Sequence, residues 1–296
     1  MSAAGNPAVA NSNPERSRLG RFGQSPGVRM VAFLLLAITL LVLFGPFLSP
    51  YAIDQVDWQN VATRPSFANG HWFGTDNNGR DLFVRTLRGG QISLLVGISA
   101  TLVSVIIGVS YGAVAGYAGG RVDQVMMRLV DVLYAMPFMF FVILLMVLFG
   151  RNLLLMFIAI GAINWLDMAR IVRGQTLSLK HREFVDAARA LGVPPAAILW
   201  RHIVPNVMGV VVVYASLAVP QMILVESFLS FLGLGVQEPM TSWGQLVSLG
   251  AREMESAPWM LLFPASFLAV TLYCLNMLGD ALRRYHDVAS YPRGVR

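Results

Sequence analysis

The sequence predicts an all-α, polytopic membrane protein with six transmembrane helices and cytoplasmic N and C termini, and three observations lead to this fold class. Hydrophobic residues make up 56% of the 296 residues and charged residues only 13%, which is too apolar for one or two soluble domains. Long apolar runs alternate with short polar segments, as in helices that each cross a bilayer. The arginines are concentrated in every second polar segment, as in cytoplasmic loops.

Six apolar runs are the predicted spans, in chain order residues 28–48, 92–114, 125–149, 153–166, 207–229 and 260–278. Each is compared with the roughly 20 residues that cross a bilayer. Residues 1–27, rich in Ser, Asn, Pro and Gly, are expected to form a disordered cytoplasmic tail. Four arginines lie before Met30 and no small-residue cleavage site follows the first run, so we interpret that run as a retained anchor and not as a signal peptide.

The connecting segments complete the predicted organisation. Two long segments, residues 49–91 and 230–259, are expected on the extracytoplasmic side. Both mix polar and apolar residues with Gly and Pro, so each is expected to fold against the spans or a partner. Residues 92–283 form the membrane core with the remaining five spans and include a cytoplasmic loop, residues 169–205. Residues 284–296 are expected to form a cytoplasmic tail.

The fourth run is short for a bilayer crossing, and the distribution of Lys and Arg tests whether it crosses. If all six runs cross and the N terminus is cytoplasmic, sixteen Lys and Arg lie inside and six outside. If the fourth run does not cross, the later segments change sides and the count becomes seven inside and fifteen outside. Because basic residues are enriched in cytoplasmic loops, six crossings are favoured.

The sequence contains no pattern of a catalytic or metal site. A phosphate-binding loop of the form G-x-x-x-x-G-K-[ST] needs a lysine after a glycine, whereas the single lysine, Lys180, follows Leu179. The four histidines are scattered without a second ligand at metal spacing, and the single cysteine, Cys274, lies within an apolar run. The basic residues follow the topology, so nucleic-acid binding is not expected. We therefore predict a protein without enzymatic activity and without a metal.

Acidic residues near the ends of apolar runs are candidates for function in a membrane protein. In this chain they are Asp123, Asp131, Asp167, Glu226 and Asp280. The alternative is capping or interfacial pairing, for example of Asp131 with Arg128 at i,i+3. We find no convincing repeat between the halves of the chain, as a secondary transporter would usually have. If the protein moves solutes uphill, the energy is expected to come from another chain.

Residues 182–206 carry charges on both sides of a Gly-Val-Pro-Pro break. Before the break, apolar residues at i, i+3, i+4 and i+7 predict one stripe of an amphipathic helix, namely Phe184, Ala187, Ala188 and Leu191. Glu183 and Asp186 lie in the first turns of this helix, where the helix dipole favours acidic residues. After the break the spacing is repeated by Ala196, Leu199, Trp200 and Ile203.

Glycine and proline define the corner between these two helices. Gly192 stands where a left-handed residue caps the first helix. Pro194 prevents continuation, and Pro195 fits the first turn of the second helix, which Pro205 is expected to end. An amphipathic loop on the lipid surface is the alternative, but its polar face should be mostly Lys and Arg. Here acidic and basic residues are mixed, which favours a protein partner.

The same residues resemble the signature loop of the membrane subunits of binding-protein-dependent ABC importers, whose pattern is E-A-A-x3-G-x9-I-x-L-P. Here it reads Asp186-Ala187-Ala188, then Gly192, then His202, Val204 and Pro205, with the spacing kept. Asp186 replaces the first Glu of the pattern, His202 replaces its Ile, and Val204 replaces its Leu. In that family the loop forms a coupling helix that docks in a cleft of the ATPase subunit. The resemblance implies a coupling set of Glu183, Asp186, Ala187, Ala188, Arg189, Gly192, Pro194 and Pro205.

Other segments resemble the C-type membrane subunit of peptide importers, and within that group oligopeptide permease. These segments include "FGTDNNGRDLFVRTLRGGQISL" at residues 73–94, and residues 165–184, 226–246 and 276–283. The resemblance implies the type I ABC importer permease fold and a multi-pass subunit of an ATP-driven oligopeptide importer in a bacterial cytoplasmic membrane. Dipeptide, nickel and antimicrobial-peptide importers are the alternatives within the family.

The resemblance also implies the partners. They are a homologous permease subunit in a heterodimer, two ATPase subunits, an extracytoplasmic peptide-binding protein, the peptide and the lipid bilayer. ATP and Mg would belong to the ATPase subunits, and this chain would hold no cofactor.

Two sets of residues on the predicted outer side are candidates for docking and gating. The docking candidates are Gly74, Thr75, Asp76, Gly79, Arg80 and Asp81; Asx-rich turns that hold the loop are the alternative. The outer gate or path candidates are Glu226, Ser227, Ser230, Gly233 and Gly235; close helix packing is the alternative.

A self-contained channel or ion-driven carrier is the alternative from another functional class. It predicts solute flux through this chain alone, whereas an importer subunit should be recovered together with ATPase chains. A membrane enzyme is disfavoured because no nucleophile, base and acid occur together in a catalytic pattern.

Overall fold

The computed structural model describes residues 25–149 and 153–290, and these residues form mainly helices. In chain order the helices are α1 (Pro26–Phe44), α2 (Leu82–Ala118), α3 (Gly120–Ala135), α4 (Phe138–Phe149), α5 (Leu153–Leu179), α6 (Glu183–Ala190), α7 (Pro195–Ile198), α8 (Val204–Phe231), α9 (Trp243–Arg252) and α10 (Trp259–Ser290). A 3-10 turn, Gly45–Leu48, follows α1, and a π-helical turn, Leu199–Ile203, joins α7 to α8. Within the described ranges two isolated bridges occur but no strand, so the predicted all-α class is confirmed there. Most of the predicted N-terminal tail and the end of the C-terminal tail lie outside these ranges.

Four helical stretches are long and apolar enough to cross a membrane, and they contain the first, second, fifth and sixth predicted spans. These stretches are Pro26–Leu48, Leu82–Ala118, Pro195–Phe231 and Trp259–His286. The third predicted span is divided between α3 and α4, because Met136 precedes Pro137 and has extended backbone angles (ψ 141°). The fourth, short in sequence, is the first half of α5, which has 27 residues.

Two helix boundaries differ from those expected from the sequence. Helix α2 begins at Leu82, ahead of the predicted span at residue 92, because the Asp81 side chain accepts a hydrogen bond from the Val84 backbone N–H (2.8 Å). Pro205 does not end a helix, contrary to expectation, but lies in the first turn of α8. The π-helical turn before it, in which the Val204 N–H donates to the Leu199 carbonyl, carries the helical path from α7 into α8.

Helices α2 and α5 pack against each other through glycines and run in the same direction. A Cβ atom placed on any of three glycines of α2 would lie inside van der Waals contact with α5. Moving along α2, the residues met on α5 also advance: Gly108 faces Met168, Gly112 faces Ala169, and Gly116 faces Thr176. Near the start of α5, Gly161 faces Ala100 in the same way. This register is possible only for parallel helices in close contact.

We expect Gly112→Ala to lower the thermal stability of the detergent-solubilised protein. Its added methyl group would meet the carbonyl of Ala169, which is main chain and cannot rotate away. The matched control is Gly174→Ala, because no atom lies within 4 Å of a Cβ there and alanine is the better helix former by about 1 kcal/mol. Equal unfolding temperatures for the two variants would contradict the packing role of Gly112.

Helix α8 runs antiparallel to α2, and α10 antiparallel to α8. On α2, Ser93 bonds to Glu226 and Gly97 packs on Ile223, so residue numbers fall along α8 as they rise along α2. Likewise Gly279 of α10 packs on Leu217, and His286 lies against Gly209. The register places residues 49–81 and 232–258 at the end of the bundle where α2 begins, which we call the segment face. The opposite end, where α2 terminates, carries residues 180–203 and is called the corner face.

Candidate functional site

The corner between α6 and α8 closes with the backbone geometry that its sequence predicts. Gly192 has φ +75°, in the left-handed region. Its N–H donates to the Arg189 carbonyl (2.9 Å), and the Val193 N–H donates to the Ala188 carbonyl (3.1 Å). This pair of bonds is the Schellman motif, which satisfies the last carbonyls of α6. The predicted glycine cap is therefore confirmed.

The corner is fastened to the long helices by a buried apolar cluster. On the corner itself Val185, Ala188, Ile198 and Ile203 are buried. They pack in one cluster with Val109, Ala113, Met168 and Val172 of α2 and α5, and with Val207 and Val211 of α8. The side chains come from three long helices as well as the corner, so displacement of the corner must move or deform the bundle.

Three residues of the predicted α6 stripe lie on the exposed side of the corner, and one lies on the buried side. Ala188 is buried, whereas Phe184, Ala187 and Leu191 are exposed. The reason is that Val185, which the stripe omitted, pairs with Ala188 at i,i+3 and turns that side towards the cluster. Leu191 is 83% exposed.

The exposed side chains leave an apolar surface on the corner, surrounded by charges. We call Phe184, Ala187, Leu191 and Trp200 the corner surface; of these Phe184 is 40% and Trp200 48% exposed. The flanking Asp186 and Arg189 form an exposed ion pair at 2.9 Å. Of the other residues in the coupling set, Glu183, Pro194 and Pro205 are also exposed. Large apolar side chains exposed in this way are typical of a contact surface for another protein.

Ion pairs join α3 to α5 near the corner face. Asp123 accepts hydrogen bonds from Nε and an Nη of Arg173 at 2.5 and 2.6 Å. Asp131 pairs with Arg170 at 2.9 Å, not with Arg128 as expected. Arg128 lies one helix turn from Asp131, but the packing of α5 brings Arg170 closer to that carboxylate. The Arg170 guanidinium also stacks on the Tyr134 ring (4.3 Å).

The docking candidates on the segment face are buried. One carboxylate oxygen of Asp76 accepts bonds from the backbone N–H groups of Asn78 and Arg80 (2.8 and 2.9 Å), which is an Asx turn. Asp81 caps α2 and contacts the His71 ring at 2.8 Å. The other candidates, Gly74, Thr75 and Gly79, are buried as well. These contacts hold residues 49–81 together and favour the interpretation of the set as turns.

A buried charge cluster joins the two segments on this face. Arg80 contacts Asp76 at 2.8 Å and Glu238 at 2.9 Å. Arg85 is fully buried and lies 3.6 Å from Asp76 and 3.8 Å from Glu238. Within the described part of the chain its guanidinium nitrogens make no hydrogen bond. We call Asp76, Arg80, Arg85 and Glu238 the arginine cluster.

The gate candidates lie close by, at the junction of α2, α8 and α9. The Glu226 side chain is fully buried and accepts hydrogen bonds from Ser93 (3.2 Å) and Ser230 (2.6 Å). Ser227 is also buried, and a Cβ on Gly235 would overlap Ser230. Gly233 is exposed with φ +76°. Four of the five candidates are therefore packed together, which favours the interpretation of the set as close helix packing.

A groove lined by both apolar and polar side chains lies between α2, α5, α8 and α10, and the sequence did not predict it. Its volume is about 410 Å³. The polar residues that line it are Ser104, Asn164, Asp167, Arg170, Tyr214, Gln221 and Arg283. A groove of this size is within the range of small-ligand sites.

A family model described as "Binding-protein-dependent transport system inner membrane component" matches residues 108–289, which include the corner and three of the four groove helices in full or in large part. The chain belongs to this family. The resemblance inferred from the Asp186–Pro205 pattern is therefore confirmed, and the chain is a multi-pass membrane protein of a permease family.

Individual relatives of the permease are similar over most of their length. It is 61% identical to "Oligopeptide transport system permease protein OppC" of Escherichia coli K12 over 250 residues, 84% of this chain and 83% of the relative. It is 57% identical to the protein of the same name in Haemophilus influenzae, over 86% of this chain and 80% of the relative. It is 46% identical to "Dipeptide transport system permease protein DppC" of Bacillus subtilis, over 85% of this chain and 78% of the relative.

Sequence reasoning found the corner of the permease but missed the arginine cluster and the groove. Arg85 was counted only as an extracytoplasmic basic residue, although its position four residues after Asp81 places it in the first turn of a capped helix. Glu238 is far from Asp76 in sequence, and no periodicity relates the two. Among the described residues no group of three or more His, Cys, Asp or Glu is arranged to hold a metal ion.

Proposed function

We propose that this chain is the membrane permease subunit of an ATP-driven oligopeptide importer, resident in the bacterial cytoplasmic membrane and without catalysis of its own. The observation that carries the proposal is 57–61% identity over 84–86% of the chain to relatives named for oligopeptide transport. Because a dipeptide permease is 46% identical, dipeptide import is the second candidate function.

Six crossings with both termini inside are supported by the register of the helices. Because Gly161 of α5 faces Ala100 of α2, residue 153 lies near the level of residue 92. The chain must therefore return between α2 and α5 over about 26 helical residues, or about 39 Å. Helices α3 and α4 have 16 and 12 residues, which together span about 42 Å. They match one crossing of the membrane.

The crossings can be tested by labelling single cysteines in spheroplasts. In a Cys274→Ala background, cysteine is introduced at Asn77, Asn152 or Leu191 and treated with a membrane-impermeant maleimide. Six crossings predict labelling at positions 77 and 152 in intact spheroplasts, and at 191 only after lysis. Protection of position 152 until lysis would mean that α3 to α5 stay on one side. Labelling at position 191 in intact spheroplasts would show that the second half of the chain has the opposite orientation in the membrane.

The corner surface is the proposed contact with an ATPase subunit. Closure of two ATPases on binding ATP and Mg would move the corner, and the buried cluster would transmit that movement to α2, α5 and α8. This coupling requires contacts that differ between two states of the complex. A homologous permease subunit would complete the pathway, and an extracytoplasmic binding protein would deliver the peptide on the segment face.

Purification of the tagged chain from its native host tests the whole proposal. We expect ATPase chains and a second permease to be recovered with it, and peptide uptake in liposomes only when all are present with the binding protein. Uptake or ion-driven flux by this chain alone would instead establish a channel or carrier. Recovery of a transporter complex that moves no peptide would refute the proposal that peptides are its substrate.

A further inference from the structure

The groove lies deep within the helices that the proposed function places in the membrane. Asp167 is in the middle of α5, about 21 Å from Leu153 and about 18 Å from Leu179 along the helix axis. On α8, Gln221 is about 15 Å from Phe231. Since the hydrocarbon core is about 30 Å thick, Asp167 and Gln221 are at membrane depth, whereas Arg283 lies five residues beyond the predicted sixth span, towards the corner face.

Two opposite charges line the groove without a partner. Among the described residues Asp167 and Arg283 form no ion pair or hydrogen bond, and both side chains are exposed. The third charge, Arg170, is neutralised by Asp131 at 2.9 Å. Around them, Asn164 donates to the Ile160 carbonyl (3.0 Å) and keeps its amide oxygen available, while Gln221 is exposed.

The unpaired carboxylate of Asp167 is not compatible with contact to lipid. An unpaired charge at membrane depth costs at least about 2.5 kcal/mol, and charged residues there face a water-filled cavity or a protein interior. The groove therefore lines a hydrated path or an interface. Both signs of charge together with amide groups match a short peptide, which has an ammonium terminus, a carboxylate terminus and main-chain amides to satisfy.

We propose that this groove is a peptide-contacting site of the transport path, in which Asp167 receives a cationic group of the peptide and Arg283 an anionic one. The proposal rests on the proposed function and adds the residues that meet the substrate. Asn164 and Gln221 contact the peptide main chain. The site selects on charge after the binding protein has released its peptide, because neither charge is cancelled by the protein itself.

Charge reversal at Asp167 tests the site in the complete importer reconstituted in liposomes. Uptake of Lys-Lys-Lys and Glu-Glu-Glu is measured with saturating binding protein loaded with each peptide. We expect Asp167→Lys to reduce the rate ratio of the cationic to the anionic peptide by about tenfold or more, the effect of one charge-assisted contact. Arg283→Glu should shift the ratio in the opposite direction. Arg128→Glu, a charge reversal at an exposed position of α3 outside the groove, is the matched control and should leave the ratio unchanged.

Two results would overturn the site. An unchanged ratio in both groove variants, with normal uptake of both peptides, refutes charge recognition. Loss of the second permease from the purified complex of Asp167→Lys identifies the groove as a subunit interface instead. Failure of the wild-type complex to import either peptide would refute the proposed function itself, and it is measured in the same assay before any variant.

Discussion

A Gly192→Asp permease is expected to insert and fold but to lose at least about 90% of peptide uptake. No atom lies within 4 Å of a Cβ on Gly192, so the side chain is accommodated. The left-handed backbone (φ +75°) costs about 1–2 kcal/mol for residues other than glycine, and less for Asp and Asn. The lost function has a different cause, because a carboxylate beside Leu191 must be desolvated when the corner surface is covered by the ATPase subunit.

Gly192→Asn separates charge from conformation. Asparagine tolerates the left-handed region and has nearly the size of aspartate, so this variant should keep substantially more uptake. The measurements are uptake in cells, the amount of permease in the membrane and recovery of the ATPase chains with it. Normal uptake and full recovery in the Gly192→Asp variant would refute the coupling role of the corner.

Replacement of Asp76 by Asn is expected to destabilise the permease by about 3–5 kcal/mol, the cost of removing one partner from a buried ionic cluster. The change leaves the buried guanidiniums of Arg80 and Arg85 with only Glu238, which is 51% exposed. We expect a large fall in membrane abundance and in the unfolding temperature of the purified complex.

The Arg85→Met change distinguishes this electrostatic cause from loss of the Asx turn. Arg85 contributes a buried charge without a hydrogen bond in the described structure, so its replacement by an apolar side chain of similar length should cost little. In the double variant, removal of both charges should restore much of the stability lost in Asp76→Asn, and a double-mutant cycle measures this coupling. Strictly additive losses would show that Asp76 acts through its turn alone.

The local chemistry of the corner could be predicted because it depends on near neighbours in the chain. Gly192 was expected to cap α6, and its φ angle and two hydrogen bonds are as predicted. The side of α6 that is buried could not be predicted in the same way. Phe184 and Val185 are both apolar, and packing against Val109 and Met168 of other helices decides which one turns inward.

The partners of charged residues could not be predicted from the sequence either. Asp131 was assigned a partner one turn away, yet it pairs with Arg170, which is 39 positions along the chain. In the arginine cluster, Arg80 and Glu238 are separated by 158 positions. Pairs of this kind depend on which helices become neighbours, and a single sequence contains no periodic signal for it.

By itself the sequence determined the membrane character of the protein, its α class and the corner with its glycine cap, because bilayer solubility and backbone capping depend on composition and on residues within one or two turns. Only the tertiary structure decided which face of the corner is exposed, which carboxylates meet Arg85, and that Asp167 and Arg283 line one groove. These features arise where helices and connecting segments approach one another, and the free energy of that packing depends on side chains that are distant in sequence.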